Sequence, residues 1–95
     1  MKEKDNYFKG PLSLSDVGIG GGEAYILSDA NGNSRYFGMI MQSYTVKLIY
    51  PDKEITGSFF SGGKDYITLG YDGDLHKHEL KDCDLEVLEE IKHND

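Results

Sequence analysis

The sequence predicts an all-β fold, a small antiparallel barrel with an additional N-terminal β-hairpin. Three observations carry this reading. Tyr44-Thr45-Val46-Lys47-Leu48-Ile49-Tyr50 alternates with period two, with Tyr44, Val46, Leu48 and Tyr50 on one side and Thr45 and Lys47 on the other. Short apolar pulses then recur as far as Leu88, each bounded by Gly, Asp or Pro. Asn31-Gly32 separates two further apolar runs, and this dipeptide is the strongest short-range hairpin signal because both residues tolerate positive φ.

The elements follow in chain order. Residues 1–22 read as an irregular, Gly-rich N-terminal segment, because Gly10-Pro11 and Gly18-Ile19-Gly20-Gly21-Gly22 interrupt the apolar Phe8, Leu12, Leu14, Val17 and Ile19. Residues 23–95 read as one β-barrel domain that includes a hairpin over 23–42. After Tyr50 come the turn Pro51-Asp52-Lys53, a strand through Ile55 and Phe59, and the turn Ser61-Gly62-Gly63-Lys64. A strand Tyr66-Ile67-Thr68-Leu69 and the turn Asp72-Gly73-Asp74 follow. Leu85 and Val87 alternate as a strand, while Leu85, Leu88 and Ile91 also fit a helical i, i+3 spacing with Asp84 as N-cap. A strand over Leu85–Leu88 is favoured.

A chain of 95 residues suits one domain. The single cysteine, Cys83, excludes an intrachain disulfide and suits a reducing compartment. The charged start Met1-Lys2-Glu3-Lys4-Asp5-Asn6 leads into no apolar h-region, so no signal peptide is expected. No apolar stretch approaches the roughly 20 residues of a membrane span. A cytoplasmic location is the expectation.

The formal net charge of −7 is unevenly placed. Residues 1–50 hold five basic and five acidic groups, whereas residues 51–95 hold five basic and twelve acidic groups. The densest stretch, Asp82 to Glu90, has five acids and no base. Such a field repels phosphate backbones and attracts basic surfaces.

Residues 44–91 resemble the SH3-like small barrels, and the Sm-like layout most. Gly57 lies mid-strand, where a missing side chain lets a curved strand approach its neighbour. Leu80-Lys81-Asp82-Cys83-Asp84-Leu85 has the apolar–basic–turn–apolar rhythm of the second Sm motif. The family's Arg-Gly is Lys81-Asp82 here, the loop after the second strand is longer, and no Asp-x-x-x-Asn base-binding signature is present. The resemblance implies an architecture and carries no RNA site across.

Candidate chemistry is sparse. His76 and His78 fall on one face of a strand, with Asp72, Asp74 and Cys83 near in sequence. A metal site needs three or four converging ligands, so an edge strand with polar residues outward is the simpler reading and no metal is expected. Asp29-Ala30-Asn31-Gly32-Asn33 fails as a calcium loop, since Ile40 stands where a bidentate acid is needed. Gly57 to Lys64 fails as a phosphate loop, since Asp65 replaces the Ser/Thr. Gly18–Gly22 could offer backbone N–H groups to an anion, but reads more simply as a linker. Cys83 lies among acids, which disfavours a thiolate.

These features point to a non-catalytic binding protein without a cofactor. The first expectation is a small acidic inhibitor or adaptor, of the kind phages encode against host defence, docking on a basic surface of a larger protein. Asp82, Asp84, Glu86, Glu89 and Glu90 would make the contact, with Tyr66 as an aromatic anchor. Neither nucleic acid nor membrane is expected as a partner. The alternative is a homo-oligomeric small barrel that holds a nucleotide-like ligand with Gly20, Gly21, Tyr25 and Tyr36. Tyr25, Tyr36, Tyr66 and Phe60 are expected on the face opposite the core, where charge favours a protein-binding face over a base-stacking one.

Overall fold

The computed structural model describes residues 6–19 and 23–93. Nine strands run through them: β1 Tyr7–Phe8, β2 Ser13–Asp16, β3 Ala24–Ser28, β4 Ser34–Gly38, β5 Gln42–Tyr50, β6 Lys53–Gly62, β7 Tyr66–Tyr71, β8 Asp74–Glu79 and β9 Asp84–Lys92. No helix is present among the described residues. The strands form two antiparallel sheets, a larger one in the order β1-β9-β5-β6-β7-β8 and a smaller one in the order β2-β3-β4. The chain is therefore all-β, as its alternation predicts. No ladder joins β8 back to β1 or β9 among the described residues, so hydrogen bonding does not close the larger sheet into a barrel.

The alternation of β5 works as read. Tyr44, Val46 and Leu48 point inward, and Val46 and Leu48 are fully buried. Leu85 and Val87 of β9 and Phe59, Ile67 and Leu69 of β6 and β7 line the same side. The smaller sheet lies over this face. Its Leu14, Tyr25, Leu27 and Phe37 enter one continuous core with the larger sheet. Each sheet alone would expose an apolar face, so each exists because the other covers it.

Two bulges shape the larger sheet. In β9, Val87 pairs with Val46 but Glu89 pairs with Thr45, which leaves Leu88 as an extra residue. In β6, Phe59 pairs with Leu69 but Ser61 pairs with Thr68, which leaves Phe60 extra. Bulges bend a strand and increase its twist. Leu88 and Phe60 are both turned out to solvent as a result. From β8 the chain crosses through Leu80 and Cys83, both buried, to enter β9 on the far side of β5.

Within residues 7–16, read from sequence as irregular, Tyr7–Phe8 and Ser13–Asp16 form strands. β1 pairs with β9 through Tyr7 with Glu86 and Phe8 with Leu85. β2 pairs with β3. The glycines dominate that stretch of sequence, but Leu12-Ser13-Leu14-Ser15 is itself a period-two pattern, and burial of Phe8, Leu12 and Leu14 holds it in place. Residues 7–16 are thus part of the fold and not an appendage to it.

The hairpin at Asn31-Gly32 is present, joining β3 to β4. Gly32 has φ 83°, whereas Asn31 is not at positive φ. The loop is longer than a two-residue turn. The Asp29 N–H donates to the Asn33 carbonyl, and the Asp29 carboxylate accepts the N–H groups of Asn31 (3.0 Å) and Asn33 (2.8 Å). Such loops place only their last residue in the left-handed region. The turn with two positive φ values is Asp72 (54°) and Gly73 (76°), between Tyr71 and Asp74. Gly32→Val should lower stability by about 1–2 kcal/mol through backbone strain, since nothing lies within 4 Å to clash with a side chain there. Urea unfolding of the variant measures this, and unchanged stability would refute the left-handed turn.

The outward side of the smaller sheet has an unusual composition. Strand alternation places Ser13 and Ser15 of β2 there. Ala24, Ile26 and Ser28 of β3 lie beside them, followed by Ser34, Tyr36 and Gly38 of β4. None of these positions is charged. On the larger sheet, by contrast, Lys47, Glu54 and Glu86 face outward together.

Candidate protein-binding surface

The acids of the Asp82–Glu90 stretch do not form one face. Asp84 is occupied by the N-terminal segment. It accepts the Tyr7 hydroxyl at 2.6 Å and the Gly10 N–H at 2.9 Å, with Lys9 Nζ at 3.9 Å. Burial works against its charge, but these donors outweigh it and hold the carboxyl below the usual range. The same hydrogen bond pushes the Tyr7 phenol up to about 12. Asp84 is thus a tether for residues 7–10.

Glu90 lies on the inward side, opposite Tyr44, because the Leu88 bulge shifts the phase of β9. It meets Arg35 Nη2 at 3.2 Å, and the Arg35 guanidinium sits 5.3 Å from the Phe37 ring centroid. Glu86 faces outward and shares Lys47 with Glu54, each at 3.7 Å. Glu89 also faces outward, beside Thr45, and Asp82 occupies the β8–β9 crossing at φ 64°. Neither Glu89 nor Asp82 has an ion pair among the described residues.

The expected aromatic anchor is elsewhere. Tyr66 lies on β7, three strands from β9 in the sheet order, with the Lys77 ammonium 4.6 Å from its ring centroid. It does not join the acids. The apolar neighbours of Glu86 and Glu89 are Tyr7, Leu88 and Ile91, all substantially exposed. The sequence reading missed them: Leu88 and Ile91 look like one side of a helix, and the side Leu88 takes depends on the bulge.

The residues of the alternative ligand site do not converge. Gly20 and Gly21 lie outside the described residues. Tyr25 points into the core, 3% exposed, with its ring 5.4 Å from that of Phe59. Tyr36 points to the opposite side of the same sheet and is 61% exposed. The expectation that Tyr25 faces away from the core is therefore corrected. One residue of register separates the two faces of a strand, and Tyr25 is opposite Phe37, not Tyr36.

His76 and His78 share a face of edge strand β8, as read, but it is the core-side face and not the outward one, since they pair with buried Leu69 and Ile67, and they gather around Tyr71. The Tyr71 ring stacks on His76 at 4.0 Å, and its hydroxyl lies 2.8 Å from His78 Nε2. Burial, His76 and Lys53 all disfavour the charged form of His78 and lower its pKa. No group of three or more metal-ligating side chains occurs among the described residues. Cys83 is buried against the carbonyls of Leu80 and Glu79, and burial pushes its thiol up to about 11. A thiol in that state is a poor nucleophile. The Gly62-Gly63 stretch is a hairpin connection, in which the Gly63 N–H donates to the Tyr66 carbonyl.

No helix among the described residues is long and apolar enough to cross a membrane. Comparison of the chain with protein-family models, curated proteins and solved structures finds no match.

Proposed function

We propose that this chain is a non-catalytic binding module, a small acidic inhibitor or adaptor, that docks on a basic surface of a larger protein. The observation that carries the reading is the outward strip of β9. Glu86 and Glu89 alternate there with exposed Leu88 and Ile91, and Tyr7 flanks them on β1. Apolar side chains that a partner can cover, set among acids that select a basic partner, are the ingredients of a protein interface. Asp84 and Glu90 are already engaged by Tyr7, Gly10 and Arg35 and are not contact residues on this reading.

The architecture we favour is an SH3-like small barrel left open on one side and lidded by the smaller sheet. Its support is the order β9-β5-β6-β7-β8, with a curved β6 at the centre. A second support is Asp82, whose φ of 64° is the backbone that glycine adopts most easily, at the position of the Sm-type glycine.

The test uses the full chain as bait in its native cytosol, at low and high salt. The partner should be retained at low salt and released at high salt. Glu86→Lys combined with Glu89→Lys should abolish capture while the melting temperature stays close to that of the parent. Exposed reversals of this kind usually shift stability by less than about 0.5 kcal/mol, and the weak Lys47 bridge adds little. Equal capture by parent and reversed variant would sink the reading.

A further inference from the structure

We infer that His78 is an acid-sensitive latch, which holds edge strand β8 to the larger sheet while neutral and releases it when protonated. β8 is the strand that burial holds least. Its ladder runs to β7 alone. Every other strand among the described residues has at least one buried residue, and β8 has none. Leu75, its one apolar residue, is half exposed on the outward face, opposite Gly70. On the core side Asp74 is exposed, which leaves the two half-buried imidazoles to make the contact. Both hold Tyr71, which itself packs against the core. His76 stacks on the Tyr71 ring with an interplanar angle of 14°, and its Nε2 lies 3.2 Å from the Tyr71 carbonyl oxygen. His78 takes the hydroxyl of the same tyrosine.

A proton on His78 finds no counter-charge. No carboxylate lies within ion-pair distance of either imidazole among the described residues. Asp52, Glu79 and Asp82 border the cavity beside His78, but Lys53, Lys77 and Lys81 border it too and offset them. The charges that act on the ring are positive ones, from His76 on β8 and Lys53 at the start of β6. Asp74 turns its carboxylate to the Leu75 N–H at 2.8 Å, and the Tyr50 hydroxyl of β5 is spent on the Glu79 carbonyl. Burial and these neighbours lower the pKa of His78, so the released strand takes up a proton more readily than the docked one. The latch therefore has its full strength above the ordinary histidine value of about 6.5 and weakens as pH falls below it. Asp29 and Asp84, whose carboxyls are held below the usual range, keep their contribution until the pH nears about 3.9. Acid thus reaches β8 first. Release frees residues 72–79 between Tyr71 and buried Leu80, and bares the edge of β7 beside Ile67 and Leu69.

Hydrogen exchange of the full chain, read as protection factors at about pH 7.5 and about pH 5, tests this. The β8 amides bonded to β7 should exchange faster than those of β5 at both values, because β8 opens without the rest. Their protection should fall at least about threefold at the lower pH. His78→Gln keeps a partner for the Tyr71 hydroxyl but gains no charge in this range, so the fall should disappear. His93→Gln, at an exposed histidine beside Ser43, should behave as the parent does. An NMR titration of the His78 ring in the parent needs no substitution and should give a midpoint below about 6.5. A midpoint at or above that value, β8 protection equal to that of β5, or a fall that persists in His78→Gln would overturn the proposal.

Discussion

Phe37→Ala should be among the most damaging single substitutions in this protein, costing about 3–5 kcal/mol. Phe37 is 1% exposed and is one of the largest fully buried side chains. Its ring meets Tyr44 edge-on at 4.8 Å and Phe59 edge-on at 5.0 Å. It belongs to β4 in the smaller sheet, whereas both of those partners belong to the larger one. Truncation would therefore open a cavity at the seam where the sheets meet, and would remove two aromatic pairs worth roughly 0.5–1.5 kcal/mol each beyond area burial. A chain of 95 residues has about 5–14 kcal/mol of stability in total on a per-residue scale, so the loss is a large fraction. Urea unfolding should show a lower midpoint. Tyr36→Ala, one residue away on the exposed side, is the control and should barely move it. Similar losses in the two variants would mean that the smaller sheet is not docked through Phe37.

Gly57→Val should also unfold a substantial part of the population, for the opposite reason. Gly57 sits inside curved β6, opposite Val46. A Cβ at this position would stand 3.0 Å from Leu69 Cβ, 3.0 Å from the Tyr71 ring and 3.1 Å from the Gly70 carbonyl oxygen. The Leu69 and Gly70 atoms belong to or adjoin the backbone of β7 and cannot swing aside. Valine adds two further methyl groups beyond that Cβ. Overpacking of this kind costs about 1–3 kcal/mol and sometimes more. The same urea experiment measures it. If Gly57→Val were as stable as the parent, β6 and β7 would not approach as closely as described.

Gly57 was legible in the sequence because a lone glycine within a strand pattern has few explanations. The alternation of β5 was legible for the same kind of reason: the seven residues Tyr44–Tyr50, with apolar side chains at every second place, leave one face to bury. The strand at Leu85 was recognisable, but its outward residues were not. One extra residue changes which side the following residues take, and pairing with Thr45 and Val46 decides where that residue falls. Leu85, Leu88 and Ile91 look helical because a phase slip in a period-two pattern mimics a spacing of three. The strands over residues 7–16 were masked by neighbouring glycines, although Leu12 and Leu14 carried the signal. The candidate surface was half legible. The density of acids between Asp82 and Glu90 is plain, but Asp84 and Glu90 are consumed by Tyr7, Gly10 and Arg35, partners from distant parts of the chain. Tyr66 was assigned by residue type alone, and residue type does not say which strand lies beside which.

In the folded molecule most of the acids lie on the larger sheet, and three, Asp16, Glu23 and Asp29, lie on or beside the smaller one. All seven excess negative charges come from residues 51–95, and strands β6 to β9 of that stretch belong to the larger sheet. The molecule measures 38 × 30 × 26 Å, several times the screening distance of about 8 Å at physiological ionic strength. An approaching body therefore senses only the side it is nearest, and the protein presents different electrical characters to different directions. A positively charged body approaching β9 meets the field of Glu86 and Glu89 before it makes contact. Orientation is thus partly settled during diffusion, before any side chain is touched.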